Sequence, residues 1–143
     1  MPVEFVDTNI LVYAHDTSAG AKRRVARELV LGLSRERRGC LSTQVLLELF
    51  VVLTRKIARP VAPAVAREII SDFSFWRVHS FGFDDVMEAM ELSEYHHIAI
   101  WDAMIIRSAV ALGARVLWTE DLNDGQKYGG VQVRNPFRNA MPK

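Results

Sequence analysis

Val3-Glu4-Phe5-Val6-Asp7-Thr8-Asn9 is a short apolar-rich run that stops at three residues suited to ending a strand and capping the helix behind it. It reads as strand, tight turn, helix. The same grammar recurs downstream. Gly39-Cys40-Leu41 is a second short strand, and Ser42 or Thr43 caps a long helix from Gln44 to about Ala58, stopped before Pro60. Arg115 to Trp118 is a further strand that finishes at Thr119-Glu120-Asp121, and Val131 to Val133 adds a last one before Asn135-Pro136.

Helical patterns fill the intervals. From Ala21 to about Arg35, Val25, Ala26, Leu29, Val30 and Leu33 recur at helical spacing, with Lys22, Arg23, Arg24, Arg27 and Arg35 at other positions. Pro63 opens a helix through Phe73, and Phe75 to Phe81 has strand composition. Asp84 or Asp85 starts a helix reaching about Tyr95, and another follows Ile100 and ends at Gly113. No repeat or low-complexity linker interrupts the pattern. Short strands alternating with helices of about 10 or more residues predict an α/β fold, a parallel sheet with helices on both faces. Ligands of such sheets bind outside the carboxyl ends of the strands. Asp7 and Asp121 each follow a strand, so both belong to that edge.

The 143 residues suit one domain spanning residues 1–143. A content of 50% hydrophobic and 24% charged residues fits a soluble globular protein rather than a disordered one. The formal net charge of +1 supplies no global positive field, so any contact with RNA phosphates must come from local basic patches. A lone cysteine, Cys40, excludes an intrachain disulfide and a thiolate metal site and fits a reducing cytoplasm. The N-terminal residues carry no signal-peptide pattern, so no export is expected. Val45 to Leu53 and Ala103 to Leu112 are interrupted by Glu48 and Arg107, and neither reaches the ~20 apolar residues of a membrane span.

Glu48 places a full charge in Val45-Leu46-Leu47-Glu48-Leu49-Phe50-Val51-Val52-Leu53. An unpaired buried carboxylate costs several kcal/mol, so Glu48 faces a cation, a metal or a water-filled cleft, or else it occupies an exposed edge of its helix. Asp102 sits in a similar apolar setting near a helix start, where any anion is favoured, and alone it reads as an ordinary first-turn carboxylate. Together Asp7, Glu48, Asp102 and Asp121 fall at strand ends or in first helical turns. Carboxylates crowded there raise one another's pKa values unless divalent cations compensate, and an all-oxygen site suits Mg²⁺ or Mn²⁺. One or two such ions can lower the pKa of a bound water and neutralise charge on a phosphate. Phosphodiester hydrolysis is the chemistry expected.

Val6-Asp7-Thr8-Asn9, Ser42-Thr43-Gln44-Val45 leading to Glu48, Trp101-Asp102-Ala103, and Thr119-Glu120-Asp121-Leu122 followed by Asn135-Pro136-Phe137 resemble, in this order, a bacterial VapC-type PIN-domain toxin. The resemblance spans nearly the whole chain. It implies a PIN-like three-layer α/β fold with a sheet of about five strands. It also implies a Mg²⁺- or Mn²⁺-dependent endoribonuclease held inactive by a VapB-type antitoxin, often a homodimer. By matching position, Asp7 and Asp102 are the principal metal ligands, Glu48 and Asp121 complete the acidic site, and Thr8 or Asn9 with Thr119 orient ligands or water. Glu120, Asp121 and Asp124 all lie near one strand end; Asp121 matches the Thr-x-Asp pattern best, while Asp124 reads as turn chemistry before Gly125.

Lys22-Arg23-Arg24 with Arg27, and Arg35 with Arg37-Arg38, either steer RNA to the cleft or form a solvated helix face. His15, His79, His96 and His97 make no spaced motif with the acids and read as structural or exposed. Trp76 and Trp101 could stack a base, but aromatic residues beside apolar runs are more often core, and no role is assigned to them. A phosphatase or phosphoacceptor domain also places an aspartate after its first strand. That pattern wants a second aspartate where this chain has Asn9, or a lysine after a late strand that Arg115 and Lys127 do not supply. No Gly-x-Gly-x-x-Gly follows the first strand, which argues against dinucleotide binding. A non-catalytic module using the acids for structure or a partner is the other rival.

Overall fold

The computed structural model describes residues 2–138. In chain order its elements are β1 (Glu4–Val6), α1 (Thr8–His15), α2 (Ala21–Glu36), β2 (Gly39–Ser42), α3 (Thr43–Arg55) and α4 (Pro63–Ser71). A 3₁₀ turn at Asp72–Phe75 leads to β3 (Arg77–His79), α5 (Phe83–His96), α6 (Ile100–Ala111), β4 (Val116–Trp118), β5 (Lys127–Tyr128) and β6 (Val131–Arg134). The strands form one sheet in the order β3-β2-β1-β4-β6-β5, flanked by helices. All neighbours are parallel except β5, which pairs antiparallel with β6.

Parallel strands covered on both faces are apolar throughout rather than alternating. Phe5, Val6, Cys40, Leu41, Leu117 and Val133 are accordingly fully buried, and from α1 and α3 Ile10, Leu11, Val45, Leu49 and Leu53 join them. Each large side chain so buried contributes about 1.5–3 kcal/mol. A smaller cluster of Ala89, Ala103 and Met104 joins α5 to α6. Glu4 is the exception within β1: its buried carboxylate is paired with Arg38 and accepts a hydrogen bond from Trp118 Nε1 at 2.8 Å.

The five parallel strands are those expected from the sequence, and β5 is an addition. It has two residues, too short for a periodic signal, although Gly129-Gly130 between it and β6 is a hairpin-type turn, with Gly129 at φ 59°. The strand expected over Phe75 to Phe81 contracts to Arg77–His79, because Phe75 completes the 3₁₀ turn and is 95% exposed. The same turn ends α4 at Ser71 instead of Phe73. Helix α3 stops at Arg55 rather than near Ala58.

Gly39 opens β2 beneath the Trp76 indole, whose Nε1 donates to Ser34 Oγ at 3.1 Å and whose ring meets Phe73 edge-on at 5.0 Å. A Cβ at Gly39 would lie 2.6 Å from three ring atoms of this buried indole. Gly39→Ala is therefore expected to destabilise the fold by about 1–3 kcal/mol through overpacking. Urea denaturation measures it, and an unchanged midpoint would mean that the indole yields without cost. Among the described residues no helix is long and apolar enough to cross a membrane.

Candidate active site

The sheet order departs from β1 in two directions, through β2 on one side and β4 on the other, and so opens a crevice at the carboxyl ends of β1 and β4. Val6 is registered with Trp118, and Asp7 N donates to Trp118 O at 3.0 Å, which brings Asp7 beside Thr119. Asp7 is the N-cap of α1: its Oδ1 accepts from Thr8 N at 2.7 Å, and its Oδ2 accepts from Thr119 Oγ1 at 2.8 Å. Thr119 Oγ1 accepts in turn from Asn9 Nδ2 at 3.2 Å and from Asp121 N at 3.1 Å. Asn9 Nδ2 also donates to Asp121 Oδ2 at 2.9 Å. Two residues buried at the sheet edge, Asp7 and Thr119, thus carry a third, Asp121, on the open rim.

Glu48 and Asp102 arrive from two helices. Ser42 ends β2 and caps α3, its Oγ accepting from Val45 N at 3.4 Å, and Glu48 follows on the exposed side of that helix. Asp102 lies in the first turn of α6. Gln44 Nε2 donates to Trp101 O at 3.2 Å, tying the start of α3 to the start of α6. The sequence offered Glu48 a cleft or an exposed helix edge, and the structure combines them: it stands at the open rim of the crevice.

The acids act on one another. Burial pushes the Asp7 carboxyl up to about 7, against hydrogen bonds from Thr119 and Thr8 that favour the anion, and the charges of Asp121 and Glu48 push the same way. Glu48 is raised by loss of hydration and by Asp102 and Asp121, with a hydrogen bond from Gln44 opposing. Asp102 is raised by loss of hydration and by Asp121. Asp121 is the charge felt by all three others.

The donor set is oxygen throughout. Besides the carboxylates, Thr8 Oγ1, Asn9 Oδ1 and Gln44 Oε1 are buried polar oxygens without a hydrogen-bond partner. Such atoms fit the waters of a hydrated divalent ion. Among the described residues no three His, Cys, Asp or Glu side chains converge tightly enough to enclose an ion by themselves. The cluster is open, so a divalent ion held there would keep several of its waters. Cys40 is buried in the sheet with its thiol pushed up to about 12 by burial, and is no ligand.

Asp124 stands apart from these acids. Its Oδ1 accepts from Asn135 N at 2.8 Å and its Oδ2 lies 4.0 Å from Arg138, so it pins its loop to the end of β6. Glu120 is engaged elsewhere too: it accepts from Tyr13 Oη and pairs with Lys22 Nζ at 2.8 Å, while Lys22 lies over the Tyr13 and Phe137 rings at 4.8 and 5.1 Å. This clamp holds the backbone next to Asp121. Sequence reasoning missed Tyr13, Gln44 and the pairing of Lys22, because each works through a partner remote in the chain.

The histidines make contacts of other kinds. His15 Nδ1 lies 2.9 Å from Leu11 O, His79 contacts Ser108 Oγ and Asp85, His96 packs on Tyr128, and His97 is the left-handed C-cap of α5. Trp76 is buried as expected. Trp101 is not core but 66% exposed, because the first turn of α6 directs it outward beside Asp102.

Comparison with the curated proteins gives no match. Among solved structures, a toxin-antitoxin complex from Klebsiella pneumoniae is similar with a TM-score of 0.68 at 18% identity, over 90% of this chain and 94% of that one. Mycobacterium tuberculosis VapC20, a Sarcin-Ricin loop cleaving toxin, gives 0.63 at 19% identity over 80% and 86%. DNA-bound VapBC from Salmonella typhimurium gives 0.64 at 20% over 95% and 99%. At these identities the likeness is one of fold. The sequence profile of the PIN domain matches residues 5–126, which includes Asp7, Glu48, Asp102 and Asp121, and the chain therefore belongs to the PIN domain family.

Proposed function

We propose that the chain, a single domain over residues 1–143, is a Mg²⁺- or Mn²⁺-dependent endoribonuclease and the toxin of a cytoplasmic toxin-antitoxin pair. The observation that carries this reading is the gathering of Asp7, Glu48, Asp102 and Asp121 at one sheet edge, with the innermost acid raised to about 7. Four acids in mutual repulsion cost stability and are explained by a cation they exist to hold. Membership of the PIN family and a fold shared with toxin-antitoxin proteins support the toxin assignment. That one such neighbour is a toxin cleaving the Sarcin-Ricin loop supports RNA as substrate. A VapB-type antitoxin is the partner expected, and a homodimer the assembly.

In this reading Asp7 and Asp102 would hold the ion, with Glu48 and Asp121 completing its surroundings. When bound, the ion would supply a water of lowered pKa and offset charge on the phosphate. Thr119 and the Thr8 N–H keep the Asp7 carboxylate in one orientation. Asn9 does the same for Asp121, and Gln44 Oε1 is free to order water between α3 and α6. Glu48 stands on the rim, its carboxyl raised by loss of hydration and by the neighbouring acids, where it would complete the ion's surroundings.

Purified, antitoxin-free protein is expected to cut a mixed pool of structured RNAs in Mg²⁺ or Mn²⁺, and EDTA is expected to stop it. Cleavage that persists in EDTA would remove metal dependence. Absence of both cleavage and Mn²⁺ binding in titration calorimetry would leave a non-catalytic module.

A further inference from the structure

The chain has three tryptophans, and two of them are anchored by their indole nitrogens. Trp76 Nε1 donates to Ser34 Oγ at 3.1 Å, and Trp118 Nε1 donates to Glu4 at 2.8 Å. Trp101 differs. It is 66% exposed, and among the described residues it is hydrogen-bonded through its backbone alone, with no aromatic ring or cation paired with its indole.

A lone exposed hydrophobe is ordinary on a protein surface, so exposure by itself assigns nothing. Position is the second observation. Trp101 shares the first turn of α6 with Asp102, whose carboxyl feels the charge of Asp121. The Trp101 carbonyl is held at 3.2 Å by Gln44 Nε2, and the buried Gln44 side chain also hydrogen-bonds Glu48. The backbone that carries the indole is thus bound into the frame that positions Glu48 and Asp102.

The surroundings limit what the indole can receive. Glu48, Asp102 and Asp121 make the rim acidic, so a phosphate is repelled there except at a bound cation. A nucleobase is uncharged and presents a flat π face that an indole can cover. A nucleotide whose phosphate meets the cation carries its base one ribose away, within reach of the side chain next to Asp102. Stacking requires that base to leave its neighbours in the strand, which RNA loops and single strands allow.

We propose that Trp101 is the nucleobase-stacking residue of the site, holding an unpaired base of RNA next to the scissile phosphate. The inference rests on the nuclease reading above and deepens it. Every base offers a π face, so the contact selects unpaired over paired nucleotides without reading sequence.

The test is cleavage in Mn²⁺ of a pool of hairpin RNAs with randomised loops. Trp101→Ala is expected to raise the apparent KM about tenfold while kcat holds, since a stacked base is held equally in the bound substrate and the transition state. Trp101→Phe, which keeps a ring, should recover most of that loss, and Trp101→Leu, apolar without a π face, should not. Phe75→Ala is the control. That ring is 95% exposed but stands before β3, at the amino edge of the parallel sheet, and its removal should leave KM unchanged. In stopped-flow mixing, the RNA should quench the parent's indole emission before strands are cut, and Trp101→Phe should lose most of that quench.

An unchanged KM in folded Trp101→Ala, or a Trp101→Leu variant equal to the parent, overturns the stacking and leaves the nuclease standing. A fall in kcat at constant KM does the same, because it would make Trp101 a support for Asp102. Loss of a dimer in sedimentation with the RNA quench intact would assign the indole to a subunit contact and likewise overturn the proposal. A parent that neither cuts the pool nor shows a quench overturns both readings.

Discussion

Asp7→Asn is expected to lower metal-dependent RNA cleavage by on the order of 10³-fold while leaving the protein folded, a loss of about 4 kcal/mol in transition-state stabilisation. Asp7 is where the effect should be largest because it is the most buried of the four acids and is held by both β1 and β4. Its carboxylate accepts from Thr8 N and Thr119 Oγ1, and the oxygen of asparagine can keep one of those bonds. The substitution therefore removes charge with little change of shape. Single-turnover rates at saturating Mn²⁺, beside a calorimetric titration of Mn²⁺, measure it. Loss of rate and of metal affinity together is the expected result, and a variant that cuts RNA at the parent rate would show that the ion does not depend on Asp7.

The same substitution is expected to stabilise the metal-free protein at high pH. With Asp7 raised from 3.8 to about 7, the folded state holds this proton more tightly than the unfolded chain does. The stability so contributed is fully present below about pH 4 and is lost as the pH rises through about 7. Metal-free parent protein should thus be less stable at pH 8.5 than at pH 5. Asp7→Asn, which cannot ionise, should exceed it at pH 8.5 by on the order of 4 kcal/mol, or about 10 °C in Tm, with the gap narrowing by on the order of 3 kcal/mol at pH 5 and closing near pH 4. Glu48 and Asp102 shift in the same direction but lie nearer solvent and add less. Guanidinium denaturation in EDTA at the two pH values reads the difference. Equal stabilities at pH 8.5 would mean that the Asp7 anion is tolerated without a cation.

Opposite outcomes for one variant, lost activity and gained stability, are what the proposed metal site predicts. The acids repel one another and the fold sustains the cost, which a bound ion would relieve. Adding Mn²⁺ at pH 8.5 should stabilise the parent and leave Asp7→Asn unmoved.

Much of this architecture is legible in the residues. The short apolar runs ending in Asp7 and Thr119, the helix caps at Asp7 and Ser42, and the helical periodicity of α2 and α3 are local signals, each contained within a few positions. They suffice to place four carboxylates at strand ends and first helical turns. Local signals fail where an element is too short or where its neighbours decide it. Two-residue β5 exists because β6 offers an edge to pair with, and Phe75 leaves the expected strand because the chain turns before Arg77.

What the sequence by itself determined was the alternation of strand and helix, and it set Asp7, Glu48, Asp102 and Asp121 as candidate acids at strand ends and first helical turns, because periodicity, capping and charge are properties of neighbouring residues. Which acid is innermost, that Asp121 rather than Asp124 joins the others, and that Lys22 and Tyr13 clamp Glu120 beside them were decided only by the tertiary structure. Those facts depend on the pairing of β1 with β4 and on contacts between residues about a hundred positions apart, where burial and Coulomb energy follow distance through space rather than along the chain.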